Sequence, residues 1–223
     1  MRQSIIPDIC QTIENELVRF YGFKPHTRAA DHLLPNTDSK NDRRAQVLFQ
    51  HEPHQDEIFI GIQIREDILQ TLEKQNPQKE LTHENLDAFC VLTEEISHLH
   101  LILNRASCGR SVYQVELEWQ GEIDKVLTSA ILLKRLYGDP HWRHLIQMNF
   151  ENSVVLPGPD ASIYHMANRL AARFWDDLLT YGDGLHDPAN SRHLKGILQT
   201  AYDQTWGEKI EGMQSHLELK KTA

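Results

Sequence analysis

Glu94 and His98 stand four residues apart in the segment LTEEISHLHLILNRASCGRSVYQVELEWQGEIDKV (92–126), and Glu118 and Glu122 repeat that spacing further along it. On a helix such pairs lie about 40° apart around the axis and share a face. The two pairs are separated by a helix-breaking stretch around Gly109. Taking Cys108 as the centre of the turn, His98 lies ten residues before it and Glu118 ten after, while Glu94 and Glu122 lie fourteen before and fourteen after. An antiparallel αα-hairpin then sets His98 level with Glu118 and Glu94 level with Glu122. Three carboxylates and an imidazole form a donor set for zinc, manganese or iron, the carboxylates favouring the harder ions. With Glu94, His98, Glu118 and Glu122 as metal ligands, Glu95 or one of the site carboxylates is the base toward metal-bound water. The chemistry this implies is that of a metal-dependent enzyme, most simply a hydrolase.

The first of the two helices is apolar on nearly every side, from Phe89, Cys90, Val91 and Leu92 to Ile96, Leu99, Leu101, Ile102 and Leu103, which is the pattern of a buried helix. Carboxylates near such a core repel one another and cost desolvation energy, so a proton, a cation or an arginine has to compensate them. Arg105, on the same side as Glu94 and His98, is one candidate. A second reading stays open. The same four residues suit an interhelical network of hydrogen bonds and ion pairs in a non-catalytic regulatory or adaptor protein that works through protein–protein contacts.

The elements that must position this hairpin follow from periodicity and punctuation. An opening helix is expected over 4–20, with Ile5, Ile6, Ile13, Leu17 and Phe20 on one face and Pro7 in its first turn. Residues 24–42 read as a loop rich in Pro, Asn and Asp. Strands follow at 45–50 and Glu57–Ile64, the latter alternating Ile58, Ile60, Ile62 and Ile64, joined by a polar turn at 51–56. A short helix Glu66–Lys74 stops before Asn76-Pro77. Thr82 caps a long helix to about Arg105, and Ser111 with Gln114 suggests a capping box opening the next, which runs to Tyr137-Gly138. Further helices are expected over 141–150, 162–181 and 191–206, the second burying Ile163, Ala167, Leu170, Phe174 and Leu178. Breaks fall at 157–160 and 182–188, and the C-terminal LELKKTA reads as a frayed end. The fold class expected is α+β, mainly helical: one domain over 1–223, a long central αα-hairpin at about 82–137, further packed helices, and a small N-terminal antiparallel β-hairpin at about 45–64.

Composition narrows the function classes. Hydrophobic residues make up 40% and charged residues 25% of 223, which is ordinary for a globular protein. A net charge of −9 argues against a dedicated nucleic-acid binder, whose affinity rests on Lys and Arg. Cys10, Cys90 and Cys108 are odd in number and widely spaced, which suits a reducing compartment rather than a disulfide framework. With no secretory leader and no apolar run long enough for a membrane span, the chain is expected to be cytoplasmic. The expected partner is a small molecule or another protein. Secondary candidates are His141 and His144 beside Trp142, His51 and His54 about a turn, and Tyr164, His165, Arg169 and Arg173, which reach the central site if their helix packs there.

Three resemblances add to this. Glu95-Ile96-Ser97-His98 resembles the ExxH segment of the ferritin-like di-iron proteins, although the chain has no second ExxH at a suitable place. Glu94-Glu95-Ile96-Ser97-His98 resembles the HExxH helix of the gluzincin metallopeptidases with glutamate in place of the first histidine. That likeness implies His98 as a ligand, Glu95 as general base and Glu118 or Glu122 as the downstream ligand. The stretches VELEWQGEIDKV and YHMANRLAARF are similar to segments of a bacterial family of uncharacterised hypothetical proteins, which implies a bacterial cytoplasmic origin and no particular chemistry.

Overall fold

The computed structural model describes residues 4–34, 43–52, 57–151, 160–181 and 192–212. Helix α1 (Ile6–Tyr21) starts with Pro7 in its first turn and stops where Gly22 takes a left-handed conformation at φ 73°, its N–H donating to the carbonyl of Val18. Ile6, Ile13, Leu17 and Phe20 are buried as the spacing predicts; Ile9 and Cys10 join their stripe, while Ile5, the N-cap, is half-buried. A single 3₁₀ turn, Ala29–His32, leads into a two-residue strand β1 (Leu33–Leu34). This strand lies inside the stretch expected to be loop. Two residues carry no periodicity, so only pairing can reveal them; β1 runs parallel to β3, with Leu33 beside Ile62. His32 helps hold the join, one ring nitrogen 2.8 Å from the carbonyl of Ile60 and the other 2.8 Å from the Thr27 hydroxyl.

Strands β2 (Ala45–Glu52) and β3 (Glu57–Ile64) pair antiparallel with Val47 opposite Ile62 and Ala45 opposite Ile64, giving the sheet order β1-β3-β2. Ile62 and Ile64 are fully buried on the face toward the helices. On the other face Leu34 lies directly over Gly61, where a Cβ would stand 2.3 Å from its methyl carbon, and Leu48 and Phe59 are exposed. The connection 53–56, with His54, lies outside the described residues, as do the expected breaks at 157–159 and 182–188 and the C-terminal LELKKTA.

Helix α2 (Glu66–Lys74) occupies the expected range and buries Ile68 and Leu72. The centre of the molecule is α3 (His83–Ser107) packed along α4 (Gln114–Tyr137). With 25 residues, α3 is about 38 Å long. Its start is fixed by Asn85, whose Oδ1 accepts the Thr82 N–H at 2.8 Å while its Nδ2 donates to the carbonyls of Gln75 and Glu80. The Ser111–Gln114 capping box expected for α4 does not form. Gly109 at φ 63° and the bond from the Arg110 N–H to the carbonyl of Arg105 carry the α3 terminus further along the chain. Tyr113, in extended conformation, is therefore the N-cap of α4, without a side-chain bond. Gly138 at φ 81° ends α4.

Helix α5 (Trp142–Ile146) continues into a π-helical turn (Gln147–Glu151), and α6 (Ala161–Tyr181) packs against α4. On α6 the fully buried residues are Ala167, Ala171, Trp175 and Leu178. Ile163, Leu170 and Phe174, expected along the buried side, are half-buried at its edge, the Phe174 ring meeting Trp119 of α4 edge-on at 5.6 Å. Helix α7 (Arg192–Asp203) does not run on to Trp206 as expected. Thr205 and Glu208 open a separate helix over 206–212, the Thr205 N–H and hydroxyl donating to Glu208 Oε2 at 2.7 and 2.8 Å. The architecture is thus mainly helical α+β, with a small three-stranded sheet beside the α3–α4 hairpin. No helix among the described residues is long and apolar enough to cross a membrane.

Candidate metal centre

One face of the α3–α4 hairpin collects Glu94, His98, Glu118, Glu122 and Lys125. A ligand atom from each of Glu94, His98 and Glu118 lies within 4.8 Å of the other two. His98 Nε2 is 3.9 Å from Glu118 Oε2, the pairing that symmetry about Cys108 predicts. A tetrahedral ion with bonds near 2.1 Å sets its ligand atoms roughly 3.4 Å apart, so small side-chain rotations bring this triad to coordinating distance. His98 is buried, and its Nε2 has no hydrogen-bond partner. An imidazole nitrogen without a hydrogen-bond partner beside two carboxylates is a position where a divalent ion can take the place of a proton.

Gly121 makes the approach possible. A Cβ built there would stand 3.0 Å from Glu94 Cγ and 3.0 Å from His98 Nε2. Glycine inside a helix costs about 1 kcal/mol relative to alanine, so its position is informative: here the absence of a side chain lets Glu94 and His98 of α3 press against the backbone of α4.

Glu94 and Glu122 meet through a cation. Lys125 Nζ lies 3.0 Å from Glu94 Oε2 and 3.0 Å from Glu122 Oε1. The compensating charge is therefore Lys125 and not Arg105. Lys125 follows Glu122 by one helical turn and so shares its face, a signal that was present in the sequence. Arg105 binds Glu116 at 2.8 Å and the carbonyls of Tyr202 and Gln204 at 2.6 and 2.9 Å. Lys209 joins the same carboxylate oxygen at 3.0 Å, with its ammonium 4.9 Å from the centre of the Trp119 ring. Burial, with Arg105 adding repulsion, lowers the Lys209 pKa to about 8 even though Glu116 pulls it up.

Glu95 stands on the other side of the imidazole. Its Oε2 is 3.7 Å from His98 Nδ1, an ion-pair distance rather than a hydrogen bond, and that oxygen has no hydrogen-bond partner. Glu95 thus lies on the Nδ1 side of the ring, away from Nε2 and Glu118. Glu122 keeps one buried oxygen, Oε2, without a hydrogen bond.

The electrostatics follow from burial and crowding. Desolvation alone would lower the His98 pKa, but the carboxylates of Glu95, Glu118 and Glu94 overcome it and push it up to about 10. Burial and the neighbouring carboxylates of Glu94 and Glu95 raise Glu118 to about 7, against the pull of His98 and Lys125. Burial also raises Glu95 and Glu122. Glu94 is held below the usual range, because Lys125 and His98 outweigh its desolvation. Without a metal, the cluster balances its carboxylates with protons and one ammonium.

Below this face a second buried network locks the hairpin. Asp124 accepts from the Ser97 hydroxyl at 2.5 Å, from the Tyr21 hydroxyl, and from Gln120 Nε2 at 3.1 Å. Burial raises its pKa to about 6 despite those donors. On the side toward α1, Glu14 meets His100 at 2.8 Å and accepts the Ala29 N–H. Among the other candidates, Tyr164 of α6 is partly buried, and burial together with the charges of Glu118 and Glu94 raises its phenol. His165 and Arg169 are exposed, and Arg173 lies 3.6 Å from Asp177 of its own helix. His144 packs edge-on to His83, while His141 lies 3.8 Å from Asp139, so the two histidines do not converge. Cys90 is buried with its thiol pushed up to about 12, and Cys108 is exposed at the turn.

Fold and site together define a helix-rich α+β protein with a carboxylate–imidazole cluster buried on a helical hairpin. No family model, curated protein or solved structure matches the chain.

Proposed function

We propose that this protein binds one divalent metal ion through Glu94, His98 and Glu118 and acts as a metal-dependent enzyme, most simply a hydrolase. The observation that carries the reading is the convergence of these three side chains around a buried, unpartnered His98 Nε2. Two carboxylates and one imidazole suit zinc, manganese or iron, and three protein ligands leave a position for water or substrate. Glu95 behind Nδ1 supplies the outer partner that ligating histidines commonly have. Glu122, linked to Glu94 through Lys125 and keeping one buried oxygen unpartnered, is the carboxylate we assign to take a proton from bound water. The test is metal analysis of untagged protein after exposure to zinc, manganese or ferrous iron. The expected result is one retained equivalent that His98→Ala and Glu118→Gln both abolish; protein that stays metal-free, with stability unchanged by the ions, would overturn the reading.

A second reading rests on a different surface. Leu34, Leu48 and Phe59 (57%) are exposed on the Gly61 face of the small sheet, and Phe49 (71%) on its other face. Exposed apolar side chains grouped on one element favour a protein partner, as an adaptor would have. If that reading is right, Phe49→Ser with Phe59→Ser abolishes self-association or partner capture in sedimentation experiments and leaves metal content untouched.

A further inference from the structure

Lys125 reaches from α4 across to α3 and places its Nζ 3.0 Å from one oxygen of Glu94 and 3.0 Å from one of Glu122, two carboxylates that face each other across the hairpin. Its side chain is only 13% exposed. Glu94 is shared: it donates one ligand atom to the Glu94–His98–Glu118 triad and accepts the Lys125 hydrogen bond. A carboxylate shared between two neighbouring positive centres is how adjacent cations are held in carboxylate-rich helical sites. Here one of the two positions is filled by a covalently attached cation.

Resting on the metal-binding reading, we infer that Lys125 occupies the second cation position of a two-position site, so that the protein holds a single ion beside an ammonium rather than a metal pair. Charge supports the assignment. Glu94, Glu118 and Glu122 bring three negative charges to one face, Lys125 returns one positive charge, and a divalent ion beside neutral His98 supplies the remaining two. A second divalent ion in the presence of Lys125 would leave the face positively charged and would compete with the ammonium for Glu94 and Glu122. The unpartnered oxygen of Glu122 adds the geometric argument. Once the ammonium is gone, Glu122 and the shared Glu94 present free carboxylate oxygens toward the vacated position. Lys125 is thus a specificity-determining residue, and what it specifies is nuclearity.

The test is metal stoichiometry and manganese electron paramagnetic resonance on the full chain, comparing wild type with Lys125→Met, which keeps the length of the stem and removes the charge. Wild type is expected to bind one equivalent of Mn²⁺ with the spectrum of an isolated ion. Lys125→Met is expected to bind two equivalents with the signature of an exchange-coupled pair, and adding Glu122→Gln returns it to one. Two ions in wild type, or a single ion in soluble Lys125→Met, would overturn the inference while leaving the metal reading intact. No ion in wild type would remove the metal reading itself. If Lys125→Met does not fold, Glu122→Gln in the wild-type background decides. The inference requires it to keep one equivalent, because Glu122 serves the ammonium and not the ion; loss of that equivalent overturns it.

Discussion

Replacing Gly121 with alanine separates the stability of the hairpin from the function of its cluster. Within a helix the change is favourable by about 1 kcal/mol. At this position the added methyl carbon meets Glu94 Cγ and His98 Nε2, each at 3.0 Å, some 0.4 Å or more inside ordinary van der Waals contact. Neither neighbour retreats freely: Glu94 is tied to Lys125, and His98 has Glu95 behind its other nitrogen. Relief therefore comes from displacing the Glu94 and His98 side chains by a few tenths of an ångström, whereas on the metal-binding reading metal–ligand distances are held within about 0.2 Å. Perturbations of this kind around a metal typically cost 10- to 100-fold in affinity, or about 1.4–2.7 kcal/mol. Gly121→Ala should thus unfold in urea within about 1 kcal/mol of wild type, the helix gain offsetting the crowding, while its zinc or manganese affinity falls at least tenfold by competition with a chromogenic chelator. Affinity within threefold of wild type would refute the reasoning. So would equal losses of stability and affinity, because the methyl would then be damaging the packing of the helices and not the ligand geometry.

Three more outcomes follow from the buried charges. Glu116→Gln leaves Arg105 and Lys209 as two buried cations without their carboxylate, and should cost about 3–5 kcal/mol in urea unfolding at neutral pH; a loss below about 1 kcal/mol would mean that the Arg105–Glu116–Lys209 cluster is not structural. Lys209 has a folded pKa of about 8 against 10.5 when free, so the unfolded chain binds the extra proton between those values. Its burial cost is fully present below pH 8 and fades as the pH rises toward 10.5. Wild type should therefore gain stability over Lys209→Met across that window, and parallel pH profiles for the two would contradict the assignment. Glu95→Gln removes the charge behind His98 Nδ1 and should weaken metal binding about tenfold without changing the number of ions bound; an unchanged affinity would deny Glu95 its orienting role.

Much of this was written in local patterns. The apolar stripe of α1, the limits of α2, the cap near Thr82 and the stop at Gly138 depend on neighbours a few residues away, and spacing reads such neighbours directly. The site is legible for the same reason. Glu94 with His98 and Glu118 with Glu122 are one-turn pairs, and a hairpin of two helices leaves few ways to face them. The misses are those where a distant contact decides. Strand β1 exists because β3 is beside it. The start of α4 is a local exception, displaced by the backbone bond from the Arg110 N–H to the carbonyl of Arg105 five residues back. The buried face of α6 centres on Ala167, Ala171 and Trp175, with Leu170 and Phe174 half-buried beside it and the Phe174 ring edge-on to Trp119 of α4.

The choice of cation shows where the division falls. Arg105 and Lys125 both lie on faces that point into the hairpin, and the sequence ranks neither above the other. Tertiary structure ranks them: the α7 terminus offers Arg105 two carbonyls beside Glu116, while Lys125 is left the only ammonium bonded to Glu94 and Glu122 among the described residues. Helical periodicity is a property of adjacent turns and so can be read along the chain. Which buried carboxylate a long basic side chain neutralises depends on donors and acceptors brought in from ninety and more residues away, and only the folded chain assembles those.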